Sequence, residues 1–360
     1  MLNRRNLRIK AMQTLFALQQ VRKSDQQLAW EKFVEGLKET GVELEQTKDL
    51  EKVVKSYLAD PKLELSLPNN VKEIAEQSLG DYKSQFKKDL TYLRSQMLKE
   101  VDGIHNLFLW VMSLFVALAE FEDALFSRKK TQPQQAPILQ DSSAIKMIGD
   151  TLDMDLPGWH EHQDRLSQWY REIKASIDLV KEKDDDNGVA GLLYIFKNIL
   201  WKSESFQNFF EEHDRGWIEN KDIIKSLVNK TIKSISTEGM VLAPLSYQWE
   251  DDKQFFIDIF DYTVKAEHDT EKLVAERAQN WDMDRIAQVD MILLKMALVE
   301  MINFPSIPVK VTINEYIELS KKYSTPKSKK FINGILDVLA NHLIDDGTIK
   351  KSGRGLIDNK

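Results

Sequence analysis

The stretch from Pro308 to Leu339, PVKVTINEYIELSKKYSTPKSKKFINGILDVL, reads as two helices joined by a short polar turn. Val311, Ile313, Ile317 and Ser320 recur at roughly helical spacing in the first. Phe331, Ile335, Leu339 and His342 form an i, i+4, i+8 stripe in the second. Ser324-Thr325-Pro326 lies between them, and Ser or Thr followed by Pro signals a helix cap and first turn, because proline lacks the N–H that would be orphaned there. A lone helix cannot bury such a stripe, so both must pack on helices from elsewhere in the chain.

Lys327, Lys329 and Lys330 crowd the first turn of the second helix. That is the positive end of the helix dipole, where a cation is disfavoured by a few tenths of a kcal/mol. Stability alone would place Asp or Glu there. Free N–H groups with added lysines make a phosphate site; a solvated lysine patch is the alternative reading. The same anomaly occurs at the chain's start. A helix from about Arg4 to Val21, with Asn3 as its cap, buries Leu7, Ala11, Leu15 and Leu18, while Arg5, Ile9, Met12 and Phe16 follow a neighbouring line.

Net charge must be read locally here. The formal charge of −7 does not suggest a nucleic-acid protein as a whole. Yet no acidic residue precedes Asp25, whereas Arg4, Arg5, Arg8, Lys10, Arg22 and Lys23 do, and none lies between Glu318 and Asp337. Basic ends flank an acidic middle. The absence of cysteine excludes disulfides, thiol nucleophiles and Cys-ligated zinc, and fits a reducing, cytoplasmic compartment.

At 360 residues the chain is long enough for two domains. The middle is helical in texture, with few glycines and hardly any alternating β-branched runs. Expected helices are Leu28–Lys38, Leu44–Leu58, Val71–Lys87, Leu90–Val101, Ile104–Phe126, Trp159–Val180, Val189–Lys202, Ser203–Glu212 and Asp222–Ser236. Breaks fall at Pro61 to Asn70, Lys129 to Asp141 and Lys183 to Gly188, the second being the best linker. Ile104 to Ala119 is the most apolar run, but it is shorter than the ~20 residues a bilayer requires and reads as a core helix. MLNRRNLRIK has no apolar run after it and is not a signal peptide.

Other chemistry finds little support. His160-Glu161-His162 splits its imidazoles across a helix with no third ligand in view. Asp184-Asp185-Asp186-Asn187-Gly188 lacks the alternating ligands and closing Glu of a calcium loop. Walker loops, nucleophile elbows and GxGxxG fingerprints are absent, so no enzyme activity and no cofactor are expected. Trp159, Trp169, Trp201, Trp217 and Trp249 could stack bases, but core packing is the better reading.

VTINEYIELSKKYS followed by SKKFINGILD resembles the C-terminal signature of the NusB transcription antitermination family. NWDMDRIAQVDMILLKMALVEM (Asn280 to Met301) is similar to the preceding family helices, and NRRNLRIKAMQTLFALQ (Asn3 to Gln19) to the first. The resemblance covers the two ends of the chain. It implies an all-α, NusB-like bundle formed by those ends: residues 1–23 as its first helix, a helical insertion over 24–247, the rest of the bundle over 248–344, and a disordered tail over 345–360. The helix after Lys253 would be the long central one, with Phe256, Ile259 or Phe260, Thr263 and Val264 on its apolar side. Asn314 would tie helix to helix.

The resemblance also implies a function: an RNA-binding antitermination factor that pairs with NusE, a small-subunit ribosomal protein, on boxA-like elements of nascent ribosomal RNA in the transcription elongation complex. RNA would meet Arg4, Arg5, Arg8, Lys10, Lys327, Ser328, Lys329 and Lys330. NusE would meet Phe16, Asp290 and Lys295, although Phe16 is equally readable as core. Asp290 would then be a surface charge, and Asp290→Lys would weaken NusE binding with the melting temperature nearly unchanged. Family members can cover their RNA surface by dimerising, so a homodimer is among the implied partners; a membrane is not. Members often carry an acidic residue where Lys327 stands, Tyr where Phe16 stands, and a basic residue at Asn6. A NusB-like domain also occurs fused to rRNA cytosine methyltransferases, which need a catalytic cysteine and a Rossmann-like domain that this sequence lacks. A protein–protein scaffold built on the insertion is the alternative function.

Overall fold

The computed structural model describes residues 1–39, 69–128, 138–139, 142–152, 158–183, 188–277 and 286–359. Among these no strand forms beyond one isolated bridge, Ser236 with Gly239. The helices are α1 (Arg4–Glu39), α2 (Asn69–Arg128), α3 (Ser143–Leu152), α4 (Gln163–Ala175), α5 (Ile177–Lys183), α6 (Val189–Tyr194), α7 (Glu204–His213), α8 (Trp217–Lys233), α9 (Trp249–Lys265), α10 (Glu267–Arg277), α11 (Gln288–Asn303), α12 (Val309–Tyr323) and α13 (Ser328–Asp345). The all-α expectation holds. The expected helix Leu44–Leu58, most of the proline-and-glutamine linker and the Asp184–Asn187 run lie outside the described residues.

Two compact units divide the chain. One holds Asn3–Met97 and Glu250–Lys360, the other Met1–Leu2 and Leu98–Trp249. The expected insertion began at residue 24, yet residues up to Met97 cluster with the chain's ends. The reason lies in α1. It does not stop at Val21 but continues to Glu39. The polar run after Val21 contains neither Gly nor Pro, and its residues tolerate a helix well. Ala29, Phe33 and Leu37 then resume an apolar stripe and pack on Val71, Ala75, Leu79 and Tyr82 of α2. A Cβ at Gly36 would stand 2.6 Å from Ile74 Cγ2, so the bare glycine lets the two helices approach.

In the unit formed by the chain's ends, α12 packs on α11 and α13, and α1 packs on α11. Leu7, Ala11, Leu15 and Leu18 are buried as expected. Asn3 caps α1: Asn6 N–H donates to Asn3 Oδ1 at 3.0 Å, and Asn3 N–H returns a bond to Asn6 Oδ1 at 3.2 Å. This reciprocal box gives Asn6 a structural role at the helix start. Two stripes need correction. Val311 is exposed, and Thr312 and Tyr316 fill the core beside Ile313 and Ile317. His342 is exposed too, and Leu343 completes the Phe331, Ile335, Leu339 stripe. The expected tie at Asn314 is not there, for its side chain is exposed. The tail is ordered where disorder was expected. Ile349 is buried, Ser352 N–H donates to Pro305 O at 3.0 Å, and Lys351 Nζ donates to Phe304 O at 3.1 Å.

The second unit has an aromatic core. Trp159, Trp169 and Trp217 are buried, and their indole N–H groups donate to Ser113, Ser205 and Gln207. Buried rings with satisfied donors are core residues rather than a base-stacking platform. The expected helices from Val71 to Phe126 are one continuous helix, α2, whose glycines at positions 80 and 103 each cost only about 1 kcal/mol. By length and composition this helix could cross a membrane, but 61% of its apolar window is buried inside the protein. Buried Glu122 near its end accepts bonds from Ile138 N–H, Leu139 N–H and Tyr170 OH. Burial and this carboxylate together push the Tyr170 phenol well above its usual range.

Candidate nucleic-acid interface

The starts of α1 and α13 both lie within electrostatic reach of one carboxylate on α12. Glu318, exposed on α12, is held below the usual carboxylate range by its bond from Lys321 and by the charges of Lys321, Arg5 and Lys329. Arg5 comes from the first turn of α1 and Lys329 from the first turn of α13, so the two basic ends share a face. Lys327, Lys329 and Lys330 are all exposed on it.

The arginines of α1 are engaged differently. Arg5 donates through Nε and Nη2 to the two oxygens of Glu315, both at 2.7 Å. Arg4 Nε donates to Asp252 at 3.1 Å. Arg8 is no surface group at all, being 3% exposed. Its Nε and Nη2 donate to Glu300 Oε2 and Oε1 at 2.7 and 2.6 Å, and the same carboxylate accepts from Thr312 Oγ1 at 2.9 Å and Tyr316 OH at 3.1 Å. Burial lowers the Arg8 pKa, but the Glu300 charge and hydrogen bonds outweigh it and the net shift is upward. Burial likewise pushes Tyr316 well above its usual range. Arg8, Glu300, Thr312 and Tyr316 therefore lock α1, α11 and α12 together. Lys10 is buried as well. Neither Arg8 nor Lys10 can serve RNA here as expected.

Ser328 and Asp290, assigned to different partners from sequence, are bonded to each other. Ser328 Oγ donates to Asp290 Oδ2 at 2.6 Å. That spends the only proton of the Ser328 hydroxyl, so Ser324 and Thr325 donate theirs to Ser328, at 3.0 and 2.8 Å. Asp290 is 4% exposed. It delivers from α11 the negative charge that α13's own first turn lacks. The N-cap of α13 is Lys327 rather than Ser or Thr, and the Ser328 and Lys330 N–H groups bond back to Thr325 O and Lys327 O. A phosphate here would be held mainly by lysine side chains. Because Asp290 is buried, Asp290→Lys is not expected to leave the melting temperature nearly unchanged, as a surface charge would. It should lower the melting temperature, costing about 2 kcal/mol or more by burying an unpaired cation beside a helix N-terminus; calorimetry of the variant checks this, with Asp290→Asn as the milder control.

Lys295 is also internal. Its Nζ donates to Glu271 at 2.7 Å and Glu267 at 3.3 Å, and Arg22 also bonds Glu267. Burial pushes Glu267 up, but Arg22 and Lys295 hold it below the usual carboxylate range. Of the expected partner-binding set only Phe16, 37% exposed, offers surface. Sequence reading missed Glu300, and a signal was present. MILLKMALVEM, Met291 to Met301, carries one lysine and one glutamate inside an apolar helix, and buried charges demand partners.

Residues 245–341 match the NusB family model. They span α9 to α13 apart from the last helical turn. Residues 245–341 form a domain of the NusB family. A transcription antitermination protein NusB from Chloroherpeton thalassium is 38% identical over 137 residues, which is 38% of this chain and 62% of the relative. The protein of the same name from Salinibacter ruber is 40% identical over 105 residues, 29% of this chain and 66% of the relative. The Koribacter versatilis one is 39% identical over 94 residues, 26% of this chain and 64% of the relative. The chain thus spans less than two thirds of the length of each of these relatives. No solved structure matches it. The NusB domain ends before the tail, and the basic turn at Lys327–Lys330 lies inside it.

Proposed function

We propose that this protein is an RNA-binding transcription antitermination factor that acts with NusE on boxA-like elements of nascent ribosomal RNA, in the cytoplasm and without catalysis. The observation that carries the reading is that Arg5 of α1 bonds Glu315 of α12, Lys321 bonds Glu318 one turn on, and Lys327, Lys329 and Lys330 at the start of the adjoining α13 are all exposed, with Lys329 within electrostatic reach of Glu318. In a chain of net charge −7 this is a local positive surface, and screening limits its field to ~8–10 Å. The names of the NusB relatives support antitermination as the process. Phosphates would sit on the lysines, and sequence preference would come from unstacked bases of a single strand, because A-form grooves hide base edges. NusE would dock at Phe16, an aromatic anchor on α1.

Titrating a boxA-like oligoribonucleotide into the full chain, with and without NusE, tests this. Binding is expected, with affinity falling as salt rises by a slope of about 0.7 per phosphate contact. NusE is expected to tighten it, and Phe16→Ala to remove that gain. A chain that holds no RNA at low salt, alone or with NusE, overturns the reading.

A further inference from the structure

We propose that Glu315 is a built-in competitor for the phosphate that Arg5 would otherwise take, and so sets how tightly this face holds RNA. The inference rests on the RNA-binding reading above. Arg5 meets Glu315 at two points, Nε to Oε2 and Nη2 to Oε1, both at 2.7 Å. That is the fork geometry by which a guanidinium grips a phosphate. A carboxylate in this place presents the same two oxygens, and like charge at contact keeps a phosphate from joining it.

Glu315 is not a loosely swinging side chain. It is 20% exposed at the side chain, and Arg8 Nη1 stands 3.9 Å from its Oε2, the oxygen that also accepts from Arg5 Nε. Nor does Arg8 need it, because Arg8 already holds both oxygens of Glu300. One turn along the same helix, Glu318 bonds Lys321, lies within electrostatic reach of Arg5 and Lys329, and adds a second negative charge to the surface. The lysines of α13 are thus ready for a strand, while the arginine of α1 is withheld. Arg5 can join a bound strand only by leaving Glu315. Such a competitor weakens binding to any polyanion, and so favours a strand that repays the exchange with further contacts.

The test uses the full chain with Glu315→Gln and Glu315→Ala, each alone and combined with Arg5→Ala, titrated with a labelled oligouridylate across a range of salt. Both Glu315 variants are expected to bind about three- to tenfold tighter than the parent, with a salt slope steeper by about 0.7, one further phosphate contact. The gain is expected to vanish when Arg5 is also Ala. Parent binding with equal or weaker binding by both variants overturns the inference and leaves the RNA reading standing. A gain that survives in the Arg5→Ala background also overturns it. If neither the parent nor the Glu315 variants bind, the RNA reading itself fails and the inference with it.

Discussion

Replacing Lys327, Lys329 and Lys330 together by Glu is expected to weaken binding to a boxA-like single strand by well over tenfold and to flatten its salt dependence. All three side chains are exposed in or just before the first turn of α13, and the change swings six units of charge. If each lysine holds one phosphate, the slope should fall by about 2, three contacts at about 0.7 each. Stability should hardly change. The lysines already oppose the helix dipole, so acidic residues in the first turn are if anything favourable by a few tenths of a kcal/mol each. Replacing the tail lysines Lys350 and Lys351 is the comparison, and should matter much less. A triple variant that keeps the parent's affinity and slope would make these lysines a solvated patch.

The largest expected loss of stability comes from Glu300→Ala. The change leaves Arg8 buried with its fork empty and takes the acceptor from Thr312 and Tyr316. Removing one partner of a buried pair costs about 3–5 kcal/mol, because the other charge stays desolvated. Local hydrogen exchange is the suitable readout, since a chain of two compact units need not unfold in one step. Amides of α11 and α12 should lose protection. Adding Arg8→Met should restore part of the loss by removing the orphaned cation, though the two hydroxyls remain unpaired. Unchanged protection in Glu300→Ala would show that the network contributes little.

These two expectations come from opposite ends of the sequence's legibility. The lysine cluster could be read directly, since three cations where a helix favours anions stand out in one dimension. One cap and the inner stripes could be read the same way: Asn3 before α1, Leu7 to Leu18 along it, Phe331 to Leu339 along α13, while the expected Ser or Thr cap of α13 proved to be Lys327. Periodicity records which face is apolar, and packing then buries that face. Helix ends were less legible. A polar run after Val21 looked like a break, because nothing local revealed that Ala29, Phe33 and Leu37 would find α2.

The sequence by itself determined the all-α character of the described residues, a NusB-like C-terminal region and a cluster of lysines before Phe331, but not where the bundle's first segment ends, since residues up to Met97 group with the C-terminal helices. Only the tertiary structure decided which charges belong to the surface with those lysines. Arg8 and Glu300 are 292 residues apart, and Asp290 and Ser328 are 38 apart. A charge can be buried when a partner offsets its desolvation, and the partner is fixed by the fold, not by neighbours along the chain. Arg5 and Arg8 lie one turn apart on the same helix with the same chemistry. One reaches the face where a strand could lie and the other is sealed in the core, because Glu315 stands near solvent and Glu300 does not.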